Sequence, residues 1–108
     1  MNEAIRRAIA YQAASKIRGR GGNSIYSFEA GRYTFMSRNY DYDEAAFISP
    51  QANGFYHYGS SAQVQLTVRG KQFNGYDYGS GAHFQGTVNG NSVQVYDYGE
   101  GRFFIYSV

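Results

Sequence analysis

The chain has no cysteine and no tryptophan, and a single proline, Pro50, in 108 residues. Without cysteine, disulfides, thiolate metal sites and a cysteine nucleophile are excluded. This fits a reducing compartment. No apolar run approaches the roughly 20 residues a helix needs to span a bilayer. Arg6 and Arg7 interrupt the N-terminal apolar stretch, so no signal peptide is read there and a cytoplasmic protein is expected.

Three residue types are abundant instead: 12 Tyr, 8 Phe and 14 Gly. That mix favours strands and tight turns over helices. Hydrophobic residues make up 43%, and the length suits one domain, residues 1–108, with one core. The net charge of +2 is unevenly spread. Arg6, Arg7, Lys16, Arg18 and Arg20 face only Glu3 within residues 1–23, whereas the remainder is acidic on balance. The basic character is thus expected in the N-terminal segment.

Residues 3–17 read as one amphipathic helix, with Ile5, Ala8, Ile9, Gln12, Ala13 and Ile17 on a single stripe. Asn2 is a plausible N-cap and Glu3 suits the first turn. The Arg-Gly-Arg-Gly-Gly-Asn segment, residues 18–23, breaks the helix and serves as a linker. From residue 24 the period becomes two. Two-residue turns at Ala30-Gly31, Asp43-Glu44, Asn53-Gly54, Gly59-Ser60, Arg69-Gly70, Gly79-Ser80, Asn89-Gly90 and Gly99-Glu100 give every strand the same buried face. That face holds Tyr26, Phe28, Tyr33, Phe35, Ile48, Phe55, Val64, Leu66, Val68, Phe73, Phe84, Val88, Val93, Val95, Phe104, Tyr106 and Val108. Pro50 predicts a bulge, a break or an edge.

The expected fold is α+β and mainly β: the helix, then an antiparallel meander of about nine strands, residues 24–108. A helix of about 22 Å cannot cover flat a sheet about 40 Å wide. The sheet must be strongly curled or barrel-like, with the helix against its apolar face. Residues 56–75, 76–95 and 96–108 align without gaps as hairpin repeats of roughly 20 residues. Each opens Tyr-x-Tyr-Gly, at Tyr56, Tyr76 and Tyr96, and a shorter copy begins at Tyr40. These glycine-punctuated, tyrosine-rich hairpins are similar in kind to MORN repeats. The unit is shorter and that consensus is not reproduced, so no family is claimed.

On the polar face, the expected register puts Tyr56, Gln63, Tyr76, His83, Tyr96 and Phe103 in one row. Gln65, Asn74, Gln85, Gln94 and Ile105 lie behind it. Charges are absent there, where a solvated sheet face usually carries Lys and Glu. Rings give flat apolar area and amides give adaptable hydrogen bonds. The candidate binding residues are therefore Tyr56, Tyr76, Tyr96, His83, Phe103, Gln65, Gln85 and Gln94. The competing account is structural: tyrosine is a good strand residue, and Asp77 and Asp97 bond turn amides while Asp97 pairs with Arg102.

No metal site, cofactor or catalytic centre is expected. His57, Asp77 and Asp97 occupy equivalent repeat positions about 9.6 Å apart, too far to share an ion. His83 lacks a carboxylate or an activated nucleophile on its own face. The glycines of residues 19–22 follow a helix and so form no phosphate loop. The sequence thus predicts a non-enzymatic binding or interaction module. Its ligand would be a neutral polar one such as a glycan, or another protein. A homo-oligomeric assembly using the same face is the first alternative. Single-stranded nucleic acid bound with help from the basic N-terminal segment is the second, weakened by the absence of Lys and Arg in the row.

Overall fold

The computed structural model describes residues 1–108. The helix α1 (Glu3–Arg18) precedes ten strands: β1 (Ser24–Ser27), β2 (Arg32–Phe35), β3 (Tyr40–Asp41), β4 (Ala46–Gln51), β5 (Gly54–His57), β6 (Ala62–Arg69), β7 (Gln72–Asp77), β8 (Ala82–Asn89), β9 (Ser92–Asp97) and β10 (Arg102–Ser107). All pairings are antiparallel, in the order β2-β1-β10-β9-β8-β7-β6-β5-β4-β3. The two ends of that order meet. Met36 bridges Asp41, and the Tyr42 amide donates to the Phe35 carbonyl at 3.2 Å. The sheet is curled into a barrel closed by a seam one bridge wide, and the molecule is nearly isotropic at 29 × 28 × 27 Å.

The helix lies inside this barrel. Residues 4–15 are all buried, including Arg6, Arg7 and Gln12. The expected single apolar stripe is therefore corrected: strands surround the helix, and no side of it is left for water. Ala4, Ala8, Ala10, Ala13 and Ala14 keep it slim enough to be enclosed, while Ile5, Ile9 and Tyr11 fill toward the strands. Asn2 caps it, accepting from the Ile5 amide at 2.8 Å, and Gly19 ends it in the left-handed region at φ 74°.

Ile48, Phe55, Val64, Leu66, Phe73, Phe84, Val88, Val93, Val95, Phe104 and Tyr106 are buried as the alternation requires. Val68 and Val108 pack partly buried against them. Tyr26, Phe28, Tyr33 and Phe35 are not in this core. Ile25, Ser27, Thr34 and Met36 are buried in their stead. The cause is one unrecognised turn. The chain reverses between Met36 and Asp41, with the Ser37 amide donating to the Tyr40 carbonyl at 2.9 Å. This makes a tenth strand and inverts the facing of β1 and β2, because successive side chains alternate sides.

Two kinds of connection alternate along the meander. Residues 28–31, 42–45, 58–61, 78–81 and 98–101 each form a four-residue loop at one end of the barrel. The fourth residue of each is left-handed: Gly31, Ala45, Ser61, Gly81 and Gly101, with φ between 48° and 73°. At the other end, turns at Ala52-Asn53, Gly70-Lys71 and Gly90-Asn91 are offset by one residue from those expected. Gly70 and Gly90 have φ of 61° and 58° while Lys71 and Asn91 do not enter positive φ. Glycine thus takes the first central position, as in a type II′ turn, not the second position of a type I′ turn. The β1–β2 register differs likewise, with Tyr26 opposite Tyr33. Each offset slides the ladder by two residues, keeps the faces and adds the stagger that a closed sheet needs. Pro50 sits on β4 opposite Phe55, beyond the short reach of β3, so its missing donor lies along an open edge.

Candidate functional site

The residue before each four-residue loop points inward: Ser27, Asp41, His57, Asp77 and Asp97, all buried. Each holds its own loop. Ala30 donates to Ser27 Oγ, Asp43 and Glu44 to Asp41 Oδ1, Ser60 to His57 Nδ1, Gly79 to Asp77 Oδ1, and Gly99 to Asp97 Oδ1. Because His57 Nδ1 accepts a hydrogen bond from the Ser60 amide, its Nε2 carries the hydrogen and donates to Asp41 Oδ2 at 2.9 Å. Asp97 lies opposite Arg102 in the ladder, as expected, but forms no ion pair with it. It receives the Met1 amino group at 3.2 Å and Arg6 at 3.0 Å. Burial alone would raise the Asp97 pKa, but these two cations outweigh it and hold the carboxyl below its ordinary value. Arg102 instead pairs with Glu29 at 2.8 Å. No group of three or more His, Cys, Asp or Glu side chains is arranged to hold a metal ion.

The residues flanking that inward position point outward as aromatic pairs. Tyr26–Phe28, Tyr40–Tyr42, Tyr56–Tyr58, Tyr76–Tyr78 and Tyr96–Tyr98 all stack edge to face at 4.8 Å. A third group from the next strand joins most of them: Tyr33, Phe47, His83 and Phe103. Tyr58, Tyr78 and Tyr98 thus lean on their own strand neighbours. The first of these clusters is not expected from the sequence, because the unrecognised turn after Met36 sets β1 and β2 facing the wrong way. The signal was present in Tyr26-Ser27-Phe28, which has the aromatic-x-aromatic form of Tyr76-Asp77-Tyr78.

The expected single row is broken by the ladder stagger. Tyr56 faces Gln63, Tyr76 faces His83, and Tyr96 faces Phe103, as expected within each hairpin. Between hairpins, Gln65 lies opposite Tyr76, and Gln85 opposite Tyr96. The continuous line across β6 to β10 is Thr67, Asn74, Gln85, Tyr96 and Phe103.

Two adjoining recesses lie along this line. One, of about 310 Å³, is lined by Gln72, Phe73, Asn74, Gln85, Gly86, Thr87, Gln94 and Phe103. The other, of about 430 Å³, is lined by Asn74, Gly75, His83, Phe84, Gln85 and Tyr98. They share Asn74 and Gln85, which face each other across β7 and β8. No carboxylate, lysine or arginine lines either. Gly75 and Gly86 thin the wall here: Phe84 and Phe73 lie opposite them, and a Cβ at either glycine would collide with a ring and with the carbonyl of Gln65 or Gln94.

Of the eight candidate residues, His83, Gln85, Gln94 and Phe103 line the recesses. Tyr96 borders them and Tyr76 stacks on His83 at 4.6 Å. Gln65 and Tyr56 lie outside, on β6 and β5. Gln72, Asn74, Thr87 and Tyr98 are lining residues that the candidate set lacked. No helix of the protein is long and apolar enough to cross a membrane. Comparison with family models, with curated proteins and with solved structures finds no match to this chain.

Proposed function

We propose that the protein is a non-enzymatic binding module whose site is the uncharged cleft across β7–β10. Its ligand is a neutral, hydroxyl-rich molecule of the glycan class. The supporting observation is the pair of joined recesses, amide-lined along their shared wall and bounded by Phe103, Tyr98 and His83. Amides and threonine meet hydroxyl groups in either donor or acceptor sense, and exposed rings cover the apolar faces of a sugar. The volumes fall at the lower end of those for small-ligand sites, about 300–1,000 Å³. The five loops of one geometry, each flanked by an aromatic pair, support hairpin duplication as the origin of this surface.

The test is calorimetric titration with neutral linear oligosaccharides. Binding that changes little with salt and weakens about tenfold, ~1.4 kcal/mol, in Phe103→Ser and in Gln85→Ala supports the reading. Absence of binding to any neutral oligosaccharide, with the protein folded, ends it.

A second reading rests on a different surface. Phe28, Tyr33, Phe35 and Phe47 are 61%, 72%, 66% and 68% exposed on the hairpins that flank the seam. Contiguous apolar rings of this kind suit burial against a second copy of the chain. Light scattering after size exclusion tests it. A dimer that Phe35→Ser with Phe47→Ser turns to monomer supports assembly, and a wild-type monomer at every concentration refutes it.

A further inference from the structure

Formal charge is sorted along the barrel axis. The chain has eight acidic residues, and all lie at the end of the four-residue loops. Glu29, Asp43, Glu44 and Glu100 are in the loops, and Asp41, Asp77 and Asp97 end the strands that enter them. Glu3 opens the helix at that end, accepting from Ser27 and Tyr106. Of the ten basic residues, Arg6, Arg7, Arg32 and Arg102 share this end, and each is ion-paired. The expected basic N-terminal segment is therefore partly consumed: Arg6 and Arg7, two of its five basic residues, are neutralised inside the barrel.

The other six, Lys16, Arg18, Arg20, Arg38, Arg69 and Lys71, gather at the opposite end, which holds no acidic residue. They come from three separate stretches of chain. Lys16, Arg18 and Arg20 sit at the helix exit, Arg38 in the β2–β3 turn, and Arg69 and Lys71 in the β6–β7 turn. Contacts hold the first two stretches at this end, where Lys16 Nζ donates to the Gln51 and Ala52 carbonyls, Gln12 to the Arg38 carbonyl, and Arg18 to that of Val108, and the strand order places the β6–β7 turn at the same end. Arg20, Arg38, Arg69 and Lys71 are exposed, and their side chains make no ion pair or hydrogen bond. Six cations thus share one end of a barrel about 28 Å across without an acidic side chain among them. Their mutual repulsion opposes folding, and an anionic partner relieves it.

We propose that this cationic end binds the phosphate backbone of single-stranded nucleic acid. Phosphates supply repeated negative charge at the spacing of a chain, and each one neutralised releases a counterion. Asn23, Asn39, Asn53, Asn89 and Asn91 are exposed at the same end and can hydrogen-bond base edges or sugars. A flexible strand can follow this end, where tight turns project and neither a helix nor a ribbon stands out to enter a duplex groove. A lipid surface fits less well, because most of the exposed rings that would insert into it, those of Phe28, Tyr42, Phe47, Tyr58, Tyr78, Tyr98 and Phe103, lie toward the opposite end.

The experiment is fluorescence anisotropy with labelled, unstructured oligonucleotides of about 16 nucleotides, titrated with the full chain over a range of salt. Binding is expected to weaken steeply, with a log–log slope of about −3 to −4 if most of the six cations engage phosphate. Arg20→Ser, Arg38→Ser, Arg69→Ser and Lys71→Ser combined remove no side-chain hydrogen bond or ion pair, and circular dichroism checks that the fold is kept. This variant should lose at least about 100-fold in affinity, with a slope nearer −1. Phe103→Ser should leave binding intact, which separates this site from the cleft. Absence of binding at low salt, an unchanged affinity in the quadruple variant, or variant-sensitive binding to anionic vesicles without binding to oligonucleotides would each overturn the proposal.

Discussion

Arg6 on the helix donates to Asp97 on β9 at 3.0 Å inside the barrel, and its guanidinium lies 3.7 Å from the centre of the Phe104 ring. The pair fixes the helix at one height and one rotation within the strands. Removing one partner leaves a buried charge, a loss of about 3–5 kcal/mol. Arg6→Met and Asp97→Asn should each lower the urea unfolding free energy by that order. The double variant should be less destabilised than the sum of the two. Additive losses would show that the ion pair contributes nothing of its own.

Stability should fall in acid. Hydrogen bonds from Arg32, with the nearby charge of Arg7, overcome burial to lower the Asp43 pKa, and Asp97 is lowered by the cations named above. A carboxylate with a lowered folded pKa contributes fully above its unfolded value, about 3.9, and loses that contribution as pH falls through the folded value. Urea midpoints should therefore hold steady above about pH 5 and drop below about pH 4. Asp43→Asn should be less stable at neutral pH and show a shallower acid decline.

The opposite sign applies to Tyr106. Burial, then the Glu3 carboxylate, raises its pKa well above the ordinary phenol value. Above about pH 10 the unfolded chain loses this proton while the folded one keeps it, so stability falls as pH rises. Replacing Tyr106 with Phe should flatten the alkaline decline. A decline of equal slope in the variant would place its origin elsewhere.

Two loops carry a side chain where three carry glycine. Ala45 and Ser61 have φ of 50° and 48°. The left-handed conformation costs an L-residue about 1–2 kcal/mol, and glycine returns part of the gain through its freer unfolded state. Ala45→Gly and Ser61→Gly should each stabilise by roughly 0.5–1 kcal/mol, and Gly81→Ala and Gly101→Ala should do the reverse. Thermal melts of the four variants decide it.

Gly75 and Gly86 tolerate no side chain, since a Cβ meets both a neighbouring carbonyl and a core ring. Alanine at either site should cost about 3 kcal/mol or more, at the upper end of overpacking effects. A neutral melt would mean that the wall beneath the recesses yields more readily than its geometry implies.

Much of the architecture could be read from the sequence because binary alternation survives errors of register. The turn offsets at Asn53, Gly70 and Gly90 moved the ladder by two residues and left Val64, Phe84 and Val95 in the core. The reversal after Met36 carries neither a glycine nor a proline, only Ser37, Arg38 and Asn39, so a one-residue error of parity went unseen. It placed Phe28 and Phe35 in the core and hid the exposed rings beside the seam. The helix showed an apolar stripe because Arg6 and Arg7 look like a solvent face. They and Gln12 are buried because Asp97, Asp43 and the Arg38 carbonyl receive them, partners distant in sequence. Half of the candidate set reached the recesses because within-hairpin pairing was read correctly. The rest missed because the stagger between hairpins has no local signature.

The union of β1 with β10 sets Tyr26 beside Ser107. The five hairpins of the four-residue loops can zip locally as they leave the ribosome, but this pair joins strands from the two far ends of the meander. Such distant contacts slow folding. The helix, made before the strands, must wait for them with its apolar sides uncovered, and chaperones would find it in that interval.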